Sequence, residues 1–275
     1  VNEDRMNRID RAFARLRQEG RRGLIPFVTA GFPSAEATRA LLPALVRAGA
    51  DLIELGIPFS DPMADGPTIQ RASERALAQG MTLAQVLDLV RDFRRMDADT
   101  PVVLMGYANP IEAMGEERFV EAARDAGVDG VLTVDYPPQE AESFAARLHE
   151  AGLHPIFLLA PTSKPERADE VARLGGGYVY YVSLTGVTGA GSLDVAEVLA
   201  RIPALRERTG LPIAVGFGIR DAHTAAEIGA AADAVVIGSR LLEAIEGAAH
   251  ADEACRRAEE FLRPIRRALD EGVAP

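Results

Sequence analysis

Short, nearly continuous apolar runs alternate along this chain with longer stretches of helical period. The runs are Leu24–Ala30, Leu52–Leu55, Val102–Met105, Gly130–Val134, Pro155–Leu159, Tyr178–Ser183, Pro212–Val215 and Ala234–Ile237. Runs this short, with few polar breaks, read as strands buried on both faces. Between them the apolar positions recur every three or four residues, as on one face of a helix. Ala35–Ala48 is the clearest case, with Leu41, Leu42 and Leu45 on one face, Ser34 as N-cap and Gly49 as the stop. A helical stretch from Ile69 to about Met96 is interrupted at Gly80 and restarted by Thr82. The third run leads into a loop, Gly106–Ile111, and further helices are predicted to end near Gly127 and Ala151, to begin near Pro165, to run from Asp194 to Arg208, and to extend from Asp221. The last helices close through Leu269. Ahead of the first strand, Met6, Ile9, Phe13 and Leu16 share a face and predict an extra leading helix.

Eight strand-like runs, each followed by a helix, predict a parallel sheet covered by helices. Eight units in a chain of this length fit a closed (β/α)8 TIM barrel, an α/β fold, better than an open sheet. No shift in composition marks a second domain, so residues 1–275 are expected to form a single TIM-barrel domain with an extra N-terminal helix.

Composition narrows the function. A net charge of −11 argues against nucleic acid as a main partner, while leaving room for a local phosphate pocket. No apolar run approaches the ~20 residues of a membrane span, and the first residues are too charged for a signal peptide, so a cytoplasmic location is expected. Cys255 is the only cysteine, which excludes an intramolecular disulfide and a cysteine-rich metal site. The four histidines, His149, His154, His223 and His250, are scattered, and no metal site is expected. Lys164, the only lysine, lies at a helix start and reads as a surface charge, not as a Schiff-base former.

One carboxylate stands out against this background. Glu54 interrupts the second apolar run, and an unpaired carboxylate in a buried strand is costly. Alternation puts Leu52, Glu54 and Gly56 on one face. If that face points inward, Glu54 is an acid or base of raised pKa at the mouth of a pocket; otherwise it pairs with an arginine for structural reasons. The loop that follows carries Asp61 and Asp65 among Pro58, Pro62, Gly66 and Pro67. In an eight-unit barrel the chemistry sits on the loops after the strands, with phosphate bound after strands seven and eight. Gly216-Phe217-Gly218 and Gly238-Ser239 fall at those two places, and Thr188-Gly189-Ala190-Gly191 in the sixth loop offers further N–H donors. The sixth loop, Leu184–Ser192, reads as a mobile lid or as a passive connection. What remains is carboxylate-driven proton transfer on a phosphorylated small molecule, with Glu54 and Asp65 moving the proton.

Pro26–Gly31, Glu54–Pro67, Tyr107–Pro110, Gly186–Gly189 and Gly216–Ile219 resemble, in order, the tryptophan synthase alpha subunit family. The resemblance covers essentially the whole chain. It implies metal-free retro-aldol cleavage of indole-3-glycerol phosphate to indole and glyceraldehyde 3-phosphate, with no cofactor in this chain. By the same resemblance Glu54 is the acid/base at indole C3 and the side-chain hydroxyl, Asp65 holds the indole N–H, and Tyr180 lines the site beside the glutamate. Phe27, Met105, Leu132, Leu158 and Phe217 would wall the indole pocket, and Thr188 would contact the second loop on closure. Gly189, Gly218, Gly238 and Ser239 would hold the phosphate. The family pairs with a pyridoxal-phosphate beta subunit in an alpha2-beta2 assembly, which Asp61, Asn109 and Pro110 would face. Three other readings stay open: a free-standing indole-3-glycerol phosphate lyase, another phosphate-binding barrel such as a sugar-phosphate isomerase or epimerase, and a silent barrel that only activates a beta subunit.

Overall fold

The computed structural model describes residues 6–182, 195–216 and 219–272. The chain opens on α1 (Arg8–Glu19), whose Asn7 cap accepts from Ile9 N while Asp10 answers the Asn7 amide. Then follow β1 (Gly23–Thr29), α2 (Ala35–Arg47), β2 (Ile53–Gly56), α3 (Pro67–Ala78), α4 (Leu83–Arg94) and β3 (Val102–Gly106). Next come α5 (Ala108–Met114), α6 (Glu116–Ala126), β4 (Gly130–Thr133), α7 (Glu142–Glu150), β5 (His154–Leu159), α8 (Pro165–Leu174) and β6 (Val179–Tyr181). The remainder is α9 (Val195–Ala200), α10 (Ile202–Thr209), β7 (Ile213–Val215), α11 (Ala222–Gly229), β8 (Ala234–Ile237), α12 (Ser239–Ile245) and α13 (Ala251–Glu271). Ser34 and Thr82 cap α2 and α4 as their positions predicted.

The eight strands pair in chain order, all parallel, and β8 returns to β1, closing the barrel. A walk around the paired positions from Phe27 comes back to the level of Glu19, eight residues earlier on the chain. That stagger is the shear of a TIM barrel. Glu54 shares its level with Phe27 and Val103, and Gly56 sits level with Met105 and Leu132. No helix among the described residues is long and apolar enough to cross a membrane.

Three predicted elements differ. The stretch expected as a loop through Ile111 turns helical from Ala108, because Tyr107 takes an extended cap geometry and Asp135 accepts the first helical amide. The helix expected from 194 to 208 breaks into α9 and α10 around Arg201, where Pro203 opens the second helix without needing an N–H. Pro67, taken as loop, is the first residue of α3 for the same reason.

The floor of the barrel is held by a repeated contact. Asp51, Asp129 and Asp233 stand just before β2, β4 and β8. Each donates its own N–H to a carbonyl one strand back, on Leu24, Val102 and Ile213. Each carboxylate then accepts the N–H of that same residue, at 3.0, 2.8 and 2.8 Å. Arginines neutralise all three: Arg266 on Asp51 at 2.8 Å, Arg94 and Arg8 on Asp129 at 2.6 and 2.9 Å, Arg206 on Asp233 at 2.9 Å. Before β6 the corresponding residue is Gly176, which donates to the Pro155 carbonyl. Proline has no N–H to offer in return, so a carboxylate there would have no backbone partner. The α1 helix covers this floor with Ile9, Phe13 and Leu16, all buried.

Candidate active site

Glu54 is 0% exposed. The Tyr178 hydroxyl, from the residue just before β6, donates to its Oε1 at 2.5 Å. Phe13 of α1 packs against the Tyr178 ring with centroids 5.8 Å apart, so the covering helix braces the residue that braces the acid. Oε2 has no hydrogen-bond partner among the described residues. Burial pushes the Glu54 pKa up to about 8, with the Tyr178 bond pulling the other way. At neutral pH this carboxyl is therefore a proton donor in waiting.

Room for the rings around it comes from glycines at strand ends. A Cβ on Gly56 would stand 2.6 Å from the Phe27 ring, and one on Gly238 would stand 3.2 Å from it. A Cβ on Gly216 would stand 2.2 Å from the Tyr180 hydroxyl oxygen. Gly216 and Gly238, expected as anion binders, are thus also required by packing. Tyr180 is buried, and its pKa is raised well above the usual value by burial first and then by the charges of Glu54 and Asp65.

Above this level lies a narrow cleft, open to solvent. Phe27, Ile57, Ile69, Met105 and Val134 give it apolar walls; Asp65, Tyr107, Thr29 and Ser73 supply its polar groups. Asp65 hangs in the loop between β2 and α3, its amide bonded to Pro62 O at 3.0 Å. Burial raises its pKa to about 6, and a hydrogen bond from the Tyr107 hydroxyl holds it below where burial alone would put it. Two carboxyls near Tyr180 thus carry pKa values set apart by environment, Asp65 in the cleft wall and Glu54 buried behind it, not among the lining residues. The more deeply buried one stays protonated at neutral pH, and the other stays mostly charged.

The remaining predicted residues fall as follows. Phe27 and Met105 wall the cleft, whereas Leu132 and Leu158 are not among its walls. Leu132 is fully buried and pairs with Met105 across the sheet; Leu158 is half-buried and pairs with Tyr180. Gly238 caps α12, and Ser239 is exposed as its first residue. Asp61 and Asn109 are exposed and Pro110 is half-buried. Lys164 is exposed at the cap of α8, away from the cleft walls. Thr188, Gly189, Phe217 and Gly218 lie outside the described residues. Tyr178 and Tyr107 carry contacts to the two carboxyls that sequence reasoning did not assign. The two-residue spacing of Tyr178 and Tyr180 puts both rings on one strand face, but it does not say which group the Tyr178 hydroxyl meets.

The family described as tryptophan synthase alpha chain matches residues 13–270. The tryptophan synthase alpha chain of Azoarcus sp. (strain BH72) is 64% identical over 265 residues, covering 96% of this chain and 97% of the relative. Tryptophan synthase subunit alpha from Legionella pneumophila strain Paris superposes with a TM-score of 0.91 at 42% identity, over 97% of this chain and 99% of that one. Tryptophan synthase from M. tuberculosis in an aminoacrylate-bound form gives a TM-score of 0.85 at 32% identity, over 96% and 100%. With a glutamate of raised pKa inside a closed eight-stranded barrel and a family match along nearly its whole length, the chain belongs to the tryptophan synthase alpha chain family.

Proposed function

We propose that Glu54 and Asp65 divide the proton chemistry of indole-3-glycerol phosphate cleavage, the lyase reaction of the family. Glu54, protonated at neutral pH, swings from Tyr178 to deliver its proton to indole C3. The ring becomes a cation and an electron sink. Asp65, mostly charged, accepts the indole N–H and stabilises that cation. The Glu54 carboxylate just formed then takes the proton of the side-chain hydroxyl. As that C–O becomes a carbonyl, the bond to C3 breaks and its electron pair returns to the ring, leaving indole and glyceraldehyde 3-phosphate. The observation that carries this reading is the placement of two carboxyls in different surroundings, Glu54 fully buried against the Tyr178 hydroxyl and Asp65 in the cleft wall, with burial raising their pKa values to about 8 and about 6. Tyr180 stays protonated beside both carboxyls, and Phe27 and Met105 sandwich the apolar ring.

The phosphate is assigned to Gly238 and Ser239 with Gly189 and Gly218, following the barrel's usual phosphate loops. The family implies a beta-subunit partner; an alpha2-beta2 assembly with pyridoxal phosphate in the beta chain is the form proposed here. Exposed Asp61, Met63 (81% exposed) and Asn109 beside the cleft support placing the partner on this face, with Pro110 next to it.

The test is indole release from indole-3-glycerol phosphate, by the chain alone and then with a tryptophan synthase beta subunit. Slow cleavage that rises sharply with the partner is expected. Fast cleavage unchanged by the partner would indicate a free-standing lyase, and none in either condition would leave a silent barrel. Asp65→Asn should lower the rate strongly; normal turnover would remove Asp65 from its assigned role.

A further inference from the structure

The loops after β2, β3 and β4 are joined by contacts that the chemistry above does not use. Asp135, just beyond β4, accepts the Ala108 amide on Oδ1 at 2.8 Å. Ala108 is the first residue of α5, and Tyr107 before it is the cap, with φ −112° and ψ 157° and no side-chain cap bond of its own. The Tyr107 hydroxyl accepts the Ala64 N–H at 3.0 Å, one residue before Asp65, and Tyr107 lines the same cleft as Asp65. Its ring lies against Phe59 with centroids 5.3 Å apart. Tyr107 is 3% exposed while Asp135 is on the surface, so the aspartate reaches the cleft only through the backbone it holds.

The first amides of a helix have no partner within it. Here an outside carboxylate supplies one and thereby fixes the peptide plane between Tyr107 and Ala108, from which the tyrosine ring projects. We propose that Asp135 is a positioning residue for Asp65: by holding the Ala108 amide it places Tyr107, whose hydroxyl holds the Ala64 amide beside Asp65. The inference rests on the reading above for what Asp65 does in turnover, and on geometry alone for where Asp65 is held.

The Tyr107 bond lowers the Asp65 pKa against burial, and Tyr180 also faces that carboxyl. The charges acting on Tyr107 are those of Asp65 and Asp135. Three substitutions separate the bond from the charge. Asp135→Ala removes both; Asp135→Asn removes the charge but keeps an Oδ1 acceptor. Ala108→Pro keeps the charge, removes the N–H and puts a ring carbon in its place, which turns the Asp135 carboxylate away. Proline suits the first helical position, and the extended Tyr107 backbone is the conformation a following proline requires.

The experiment is a carbon-13 carboxyl NMR titration of Asp65 in the full chain without substrate, alongside kcat and KM for indole formation with a beta subunit. Asp135→Ala and Ala108→Pro should raise the Asp65 pKa by about 0.5 or more, because a hydrogen bond to its charged form is loosened. Asp135→Asn should stay at the parent's value. Tyr107→Phe should raise it further, and Asp135→Ala should add nothing in that background. Along with the titration, kcat should fall about three- to tenfold with KM little changed, since Asp65 acts on charge that develops in the transition state. An Asp65 pKa left at the parent's value in Asp135→Ala and Ala108→Pro overturns the proposal, as does a full additional effect in Tyr107→Phe. Should Asp135→Ala fail to fold, Ala108→Pro decides alone. A parent chain that makes no indole would defeat the catalytic reading, and the titration would still decide the positioning.

Discussion

Replacing Glu54 by glutamine should abolish indole formation and stabilise the fold, by an amount that grows with pH. In the folded chain the carboxyl titrates near 8, against 4.5 for the free side chain. Below pH 4.5 both states hold the proton, and the group contributes nothing to the balance. Between 4.5 and 8 the folded chain keeps a proton that the unfolded chain releases, so folding becomes less favourable as pH rises. At 1.36 kcal/mol per pKa unit the burden is about 3 kcal/mol at pH 7 and levels off at about 5 kcal/mol above pH 8. Glutamine is close in shape, carries no charge at any pH, and keeps an oxygen to accept the Tyr178 hydroxyl. Urea unfolding of parent and Glu54→Gln at pH 5, 7 and 9 measures the difference, in which all other titrating groups cancel. A gap that is flat across pH, or that favours the parent at pH 9, would refute the placement of a neutral carboxyl in the barrel. Near-normal indole formation by the variant would refute its part in the chemistry.

Other expectations follow from single contacts. Tyr178→Phe removes a bond that favours the charged form of Glu54, so the alkaline limb of the indole-forming rate, near pH 8 in the parent, should move upward; an unmoved or lowered limb in the pH profile counts against the bond. Gly216→Ala puts a Cβ 2.2 Å from the Tyr180 oxygen and 2.4 Å from the ring carbon that bears it, and should cut indole formation about tenfold or more. A rate near the parent's would deny that the Tyr180 ring needs this glycine. Asp129→Ala strands the Val102 N–H and the Arg94 guanidinium, and should cost about 3–5 kcal/mol in urea unfolding; a loss under 1 kcal/mol would deny the floor contact its weight.

The barrel was legible because each strand is buried on both faces and so appears as an unbroken apolar run, while helices show their period and their caps. Ser34 and Thr82 are examples where a side-chain oxygen at one position decides where a helix begins. Glu54 was legible for the opposite reason, as a charge where the pattern calls for none. The break at Arg201 and the early start of α5 were harder. The first turns on Pro203, which opens a new helix inside a continuous apolar period, and the second on who satisfies a helix-end amide; for Ala108 that partner lies 27 residues on, at Asp135. The pocket walls show the same limit. Leu132 has the right residue type and even shares its level with Met105, a cleft wall, yet does not itself border the cleft, and neither does Leu158; which side chains at a level reach the opening is a matter of packing that no local pattern encodes. Tyr178 sat at the edge of a predicted strand with nothing to mark its hydroxyl as the partner of a residue 124 positions away.

The floor contacts make the barrel unequal around its circumference. Three of the eight strand pairs, β1–β2, β3–β4 and β7–β8, are riveted at the base by a carboxylate that grips its neighbour's backbone from both sides. The others meet there through main-chain bonds only, and three of these, β4–β5, β5–β6 and β6–β7, follow one another without a rivet between them. Tyr178 and Tyr180 ride in the middle of that arc, one of them bonded to Glu54. Local opening of the barrel is expected along the arc, where it would move the two phenol rings, while the riveted β1–β2 and β3–β4 pairs hold Phe27 and Met105 in the cleft wall.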